Sequence, residues 1–397
     1  MKSATQYSFA RVPQVEIPRS SFDRSMTYKT AFNEGLLIPF YVDEALPGDT
    51  FSLNMTAFSR LATPVVPFMD NLYMDFQFFA VPIRLVWDNF VKMMGEQVDP
   101  GDSIDYLVPQ VALEDPVEVG SIFDYMGIPP GYYPHDASQQ TFSSLWCRAY
   151  NLIWNEWYRD ENLQQSVPVN RDDQPDSSSD FTLLRRGKRH DYFTSCLPWP
   201  QKGPGVEIPL GDAAPVLSNG ATPLFNAGSG ERSLWVANNT NSYLGLDGST
   251  VQHQAVTFGS ESGLYADLTT ASGATINTLR QAFQIQRLLE RDARGGTRYT
   301  ELLRSHFGVV SPDARLQRPE YLGGGTIPIQ IHSVAQTSAT DSVTPQGNLA
   351  AYGIAAKSGV GFSKSFTEHT LLLGLVSVRA DLTYQHYMPT AYQCLHH

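Results

Sequence analysis

The sequence predicts a mainly β fold, an antiparallel jelly roll or related β-sandwich carrying long insertions. Three observations point there. Several segments alternate apolar and polar residues with period two, the pattern of a strand with one buried face. These segments lie far apart in the chain, so long connections must join them, as in an antiparallel roll. Strands and helices do not alternate at short intervals, as a doubly wound α/β sheet requires. A chain of 397 residues has room for two or three domains, or for one large β domain with insertions. The strand pattern favours one domain over residues 1–384. Its insertions are an acidic, helix-containing segment at 85–200, a surface loop at 204–275 and a helical and loop segment at 276–326, with an atypical tail at 385–397.

Taken in order, Phe51, Leu53, Met55 and Ala57 alternate with Ser52, Asn54 and Thr56. From Leu72 to Ala80 the even positions are apolar: Leu72, Met74, Phe76, Phe78 and Ala80. Phe142, Leu145, Trp146, Ala149, Ile153 and Trp157 follow helical spacing, with Arg148, Asn151, Asn155 and Arg159 on the opposite face. That stripe reads as core rather than as a binding site. Arg171–Asp180 reads as a polar loop. Residues 203–275 are poor in charge and rich in Gly, Ser, Asn, Thr and Pro, the composition of a long excursion. Ile276, Leu279, Phe283 and Leu289 predict a helix that stops at Gly295-Gly296, and Thr297 is placed to cap a short successor through Phe307. Gly323-Gly324-Gly325 reads as a turn with unusual dihedrals. Ile327, Ile329 and Ile331, then Val376, Val378, Ala380, Leu382 and Tyr384, predict two more strands.

Charge narrows the function. Charged residues are 17% of the chain and aromatics 12%, against roughly 25% charged in ordinary soluble domains. That excludes a disordered chain and fits a protein that covers much of its surface with partners. The formal net charge is −12. Between Leu85 and Phe181 stand 17 acidic and 4 basic residues, enough to account for the whole excess. Basic clusters lie elsewhere. Residues 1–30 carry Lys2, Arg11, Arg19, Arg24 and Lys29, and Arg185, Arg186, Lys188 and Arg189 put four positive charges into five residues. Such a chain can turn an acidic face to water or neighbours and a basic face to a polyanion. Arg185–Arg189 is a candidate contact for nucleic-acid phosphates, with Tyr192 and Phe193 available to stack on unpaired bases. The competing reading is a solvated turn or a partner for the acidic segment.

Chemistry is sparse. No dinucleotide fingerprint, phosphate-binding loop, zinc signature or nucleophile elbow occurs. Glu114-Asp115 and Asp172-Asp173 read as solvated pairs in polar loops, since only burial would make one a general acid. His190 beside Asp191 reads as a structural histidine. Cys147, Cys196 and Cys394 are too few and scattered for a disulfide framework or a metal site. No catalytic residue, cofactor or metal is expected. The longest apolar stretches, Leu36–Val42 and Leu371–Val376, are far shorter than the roughly 18 residues of a membrane span. The first residues lack a signal-peptide pattern, so no membrane insertion is expected and synthesis in a cytoplasm is the simplest expectation. The Asn54 and Asn238 glycosylation sequons then count as chance.

Certain longer strings are distinctive. They include Phe283–Tyr299, Ser305–Val309, Ser311–Gly324, Asp191–Ser195, Pro198–Gly203 and Ser377–Asp381. These closely resemble the major capsid protein of microviruses, small icosahedral single-stranded DNA bacteriophages, and specifically its gokushovirus branch. The resemblance runs to about Tyr384 and is weakest over 204–270. It implies an eight-stranded jelly roll, a homo-oligomeric T=1 shell around circular single-stranded DNA, and no enzymatic activity or cofactor. It also implies a surface protrusion at the three-fold axes from 204–275, a small basic DNA-binding protein and a host-cell receptor as partners, and assembly in the host bacterial cytoplasm. Arg11, Arg19, Arg24, Arg185, Arg186, Lys188 and Arg189 are the candidate DNA-facing residues. The last 13 residues hold three of nine histidines and one of three cysteines, a compositional break that reads as a truncated or altered end. A second class, a carbohydrate-binding β-sandwich, stays open because Trp- and Tyr-rich loops can stack on sugars. A glycosidase-like enzyme would need a perturbed carboxylate pair or a metal cluster in a pocket.

Overall fold

The computed structural model describes residues 20–64, 68–132, 141–191, 194–207, 216–219, 224–226, 231–236, 244–246, 257–258, 264–267, 275–310, 312, 317–338, 340, 342–343, 345–381 and 383. Described residues within 1–189 and 313–397 form one compact unit, and those within 190–312 form a second.

Six long strands build the first unit: β1 (Ile38–Ala45), β2 (Thr50–Arg60), β3 (Asn71–Pro82), β4 (Glu320–Ala335), β5 (Leu349–Ser365) and β6 (Thr370–Asp381). They run in one antiparallel sheet in the order β1-β6-β3-β4-β5-β2. The four strand segments expected from period two therefore belong to one sheet. The fold is mainly β, and the sheet curls because its longest strands change partners midway. Glu320–Ile329 of β4 pair with β3, while Gln330–Ala335 pair with β5. Beyond Ile354, β5 turns to β2. The far half of β5 thus crosses the face of β3, where the rings of Phe78 and Phe362 sit 5.5 Å apart.

Gly323, Gly324 and Gly325 are not a turn. They lie inside β4, and none has a positive φ. Their requirement is space: a Cβ on Gly323 would sit 2.9 Å from the carbonyl oxygen of Gly361 on β5, and one on Gly324 would collide with that of Phe76. Close backbone approach, rather than left-handed dihedrals, is what selects glycine here.

β3 and β6 are buried on both faces. Met74, Phe76, Phe78 and Ala80 from β3 join Leu372 and Val376 from β6, packing with Ile38, Ile327, Val360, Phe362 and Phe366. On the opposite face Phe79, Val81, Leu371, Leu373 and Leu375 pack against the 83–184 segment. Alternation still holds along β3, but both sets of side chains find a cover, so the strand reads as near-continuously apolar from Phe76 to Val81.

That second cover centres on α1 (Leu145–Ile153), which continues into a π-helical turn at Trp154–Tyr158. The expected apolar face packs inward as far as Ile153, and Trp157 stays partly exposed. The opposite, polar face is internal as well at three positions. Arg148, Asn151 and Asn155 are all buried. Arg148, 0% exposed, donates to the Asp176 carboxylate at 2.6 Å and to the carbonyls of Val86, Asp172 and Gln174. Asn151 donates to the carbonyls of Pro168 and Asp180, and Asn155 exchanges both bonds with the Val167 backbone. These side chains satisfy backbone groups of the 165–180 loop, whose own strand pairing is confined to Asp176 and Ser177 beside Val111 and Ala112. The loop is thus a bound partner of α1, and Asp176 is internal. Asp173, too, is engaged: it accepts from the indole of Trp87 and from the Asn89 amide. Among the aspartates of this loop, Asp172 alone is exposed.

In the second unit, short strands fall at 216–218, 224–226, 231–236, 244–246, 257–258 and 264–266. Two helices follow, α2 (Ile276–Gly295) and α3 (Tyr299–Phe307). Gly296 ends α2 at a φ of 89°, a value that favours glycine. The cap of α3 is Arg298 rather than Thr297, its backbone N–H held by the Glu301 carboxylate at 3.3 Å. Asp292 of α2 pairs with His306 of α3.

If both faces of β6 are core, Leu372→Ala and Leu373→Ala should each destabilise the unassembled subunit by about 2–5 kcal/mol. Urea unfolding measures this. A near-neutral Leu373→Ala would mean that the 83–184 segment does not close that face.

Candidate nucleic-acid interface

The basic run is fixed by its backbone. Leu37 donates to the carbonyl of Leu184 and Arg186 to that of Gly35, each at 2.9 Å, so residues 184–186 lie antiparallel beside 35–37. Tyr150 bridges the two segments: its hydroxyl donates to the Leu37 carbonyl and accepts from the Leu184 N–H. The Trp154 indole donates to the Arg185 carbonyl at 2.9 Å. The helix predicted from apolar spacing therefore positions the start of the predicted basic cluster.

The side chains diverge. Arg185, Lys188 and Arg189 are exposed. Arg186 is drawn inward to Asp75 and Ser377, with its guanidinium carbon 5.9 Å from the Tyr158 ring centroid. Asp75 lies on β3 directly opposite Thr326 of β4 and Ser377 of β6. Its carboxylate accepts from the Thr326 hydroxyl at 2.6 Å and from Arg379 Nε at 2.8 Å, besides Arg186. Arg379 also pairs with Asp381 and lies 4.8 Å from the Tyr73 ring centroid. Burial alone would raise the Asp75 pKa. The bonds from Thr326 and Arg379 and the two guanidinium charges outweigh it, and the group stays below the usual carboxylate range. Above this cluster opens a cleft of about 180 Å³ lined by Asp75, Gln77, Arg186, Arg189, Tyr321 and Thr326.

Of the other predicted residues, Arg24 pairs with Asp43 at 2.9 Å while remaining largely exposed. Arg11, Arg19, Tyr192 and Phe193 lie outside the described residues. Sequence reasoning did not find Asp75, Thr326 or Arg379 as partners of the run. Asp75 was visible as the lone charge in an apolar strand, and Arg379 as the matching cation in β6. The His190 ring approaches the Thr194 carbonyl at 3.1 Å, in keeping with a structural role. Cys147 is buried, which pushes its thiol far up, and Cys196 is exposed. Among the described residues no cluster of three or more His, Cys, Asp or Glu is arranged to hold a metal ion. No helix among them is long and apolar enough to cross a membrane.

Comparison with known proteins decides what frame this surface belongs to. The model of the phage capsid protein (F protein) family matches residues 10–393. The chain belongs to that family. It is 47% identical over 404 residues to capsid protein VP1 of Bdellovibrio phage phiMH2K, covering 96% of this chain and 72% of the relative. Capsid protein VP1 of Chlamydia phage 1 is 40% identical, over 97% of this chain and 75% of the relative. VP1 of Spiroplasma virus 4 is 36% identical, over 96% and 73%. The protein is a structural capsid subunit of the microvirus type, and the carbohydrate-binding alternative is not favoured. Within this capsid fold, the run at 185–189 is the best-fixed basic surface among the predicted residues.

Asp75→Asn keeps the size of the side chain and removes the charge that two partly buried guanidiniums share. It should cost about 3–5 kcal/mol. Because the folded-state pKa is lowered, the contribution of Asp75 is complete above the ordinary carboxylate pKa near 4 and is lost as pH falls through the folded value. Thermal unfolding of the unassembled subunit should therefore weaken more steeply below about pH 4 in the native protein than in the variant. Parallel acid profiles would show that Asp75 does not titrate as described.

Proposed function

We propose that copies of this subunit assemble into a T=1 icosahedral shell around circular single-stranded DNA, with the exposed cations of 185–189 touching the packaged strand. What supports the contact is one observation. Arg185, Lys188 and Arg189 are exposed on a run whose start is tied to the 35–37 segment, Tyr150 and Trp154, whereas Arg186 is committed to Asp75. Only three of the four cations are then presented. Arg24, engaged with Asp43 yet exposed, and the N-terminal Arg11 and Arg19 are further candidates for contact with the strand. Contacts of this type act by counterion release, so binding is sequence-tolerant and falls steeply with salt.

Bare apolar side chains support assembly from identical copies. Phe22, Phe58, Met69 and Phe307 are all more than 60% exposed in the single subunit. A surface like that fits burial against neighbours. In this reading 204–275 forms the protrusion, the acidic 85–181 segment faces away from the lumen, and assembly takes place in the host cytoplasm. A small basic protein shares the neutralisation of DNA, and a host surface receptor is engaged from outside.

The test replaces Arg185, Lys188 and Arg189 by Gln and keeps Arg186, so that the Asp75 cluster survives. The slope of log affinity for single-stranded DNA against log salt should flatten by about 0.7 for each phosphate that is no longer neutralised. An unchanged slope would mean that the run does not meet DNA and that the separate basic protein carries that task.

A further inference from the structure

α2 is an unusual helix for a folded subunit. It runs for 20 residues, and only Ala293 is buried. In proteins most helical stability comes from packing one face rather than from propensity. The side that Ala282, Gln286, Leu289 and Ala293 share is the less exposed one. Arg280, Gln284, Arg287, Arg291 and Arg294 recur at steps of three and four, so they form a single stripe on the other side. Phe283, 66% exposed, flanks the stripe on one edge and Leu288, 50% exposed, on the other. Arg294 pairs with Glu290, but Arg280, Arg287 and Arg291 form no ion pair among the described residues.

The same chain carries a surface of opposite character. Between Met94 and Val119 the exposed side chains are acidic and apolar together. Val98, Leu107 and Val119 are each more than 80% exposed. Glu96, Asp99, Asp105, Asp115 and Glu118 are exposed and form no ion pair among the described residues. The segment is held in shape: the Asp102 carboxylate accepts from the N–H groups of Val98 and Asp99, and Gln97 donates to the Asp102 carbonyl.

We propose that the arginine stripe of α2, with Phe283 and Leu288, docks onto the acidic 94–119 surface of a neighbouring copy in the shell. Charge complementarity selects this occupant. Arg280, Arg287 and Arg291, without an acidic partner among the described residues, meet carboxylates without a basic one, and both sets are bordered by bare aliphatic or aromatic groups that would leave water on contact. The exposed Phe283 and Leu288 favour a protein partner over a polyanion, which would satisfy the charges and leave the aliphatic edge in water. The pairing also supplies counter-charge to the acidic segment, which otherwise gathers like charges around a closed shell. The inference rests on assembly from identical copies.

The experiment uses full-length Arg287→Lys/Arg291→Lys subunits, which keep the charge while offering amines that a carbodiimide can couple to touching carboxylates. In that coupling the activated carboxyl loses its oxygen to the urea by-product, and an amide bond forms to the lysine nitrogen. Shells are assembled from equal amounts of nitrogen-15-labelled and unlabelled subunits, then treated, digested and read by mass spectrometry. The expected result is linked peptides joining 276–295 to 94–119, about half of them with one labelled and one unlabelled partner. Links that carry a single label throughout, links to other carboxylates, or an absence of links in well-formed shells would each overturn the proposal. Failure of the unaltered chain to form shells would instead overturn the assembly reading, and this inference with it. As a second measurement, Arg287→Glu/Arg291→Glu alters only exposed residues. It should leave a folded subunit with at least a tenfold lower shell yield. Undiminished shells with reduced DNA content would show that the stripe meets nucleic acid.

Discussion

Strands β3 and β6 must be covered on both faces, and the rest of the subunit follows from that constraint. Leu371, Leu373 and Leu375 alternate with Leu372 and Val376, and no arrangement of a single sandwich hides both sets. One cover is the curled end of the sheet, with Val360, Phe362 and Phe366 from the β5 end and the stretch just beyond it. The other is the 83–184 segment, with Trp87, Tyr150 and Ile153. What looks like an insertion by its position in the chain is therefore half of the core. Buried apolar area is the dominant favourable term in folding, so the segment between β3 and β4 is as necessary as the strands.

Covering that face brings polar backbone inside, and two buried arginine–carboxylate clusters deal with it. Arg148 with Asp176, side chains 0% and 1% exposed, ties the 165–180 loop to α1. Asp75 with Arg186 and Arg379 ties the 184–186 segment to β3 and β6. Buried ion pairs are weak sources of net stability, but a broken one is costly, so such clusters set register more than they add free energy. The functional surface inherits this rigidity. The exposed cations of the basic run begin where the Asp75 cluster and Trp154 leave the chain, which fixes the start of the run without a strand of its own.

Much of this was legible in the sequence. Period-two alternation located β2, β3, part of β4 and the second half of β6, and 3.6-residue spacing located α1 and α2. β5 escaped because Ala350, Ala351, Gly353, Ala355, Ala356, Gly359 and Gly361 carry little β-propensity. Its glycine at 361 is there because a Cβ would collide with the Leu53 carbonyl, a long-range contact that no local window contains. The same contact logic turned the triple glycine of β4 from an apparent turn into strand. Spacing put Arg148, Asn151 and Asn155 on one helix face, but their burial was not legible, because the loop they bind is set by tertiary packing. The candidate site was half legible. A run of cations is plain in sequence, but which of them is drawn inward depends on Asp75, 111 residues away from Arg186.

The central claim is that the sheet and the 83–184 segment are one cooperative structure, and native-state hydrogen exchange of the unassembled subunit tests it most directly. If the segment is half of the core, amides of α1 should exchange only through the same global opening that exposes β6, with equal free energies and equal denaturant dependence. Exchange of the α1 amides through a smaller opening, while β6 stays protected, would contradict it.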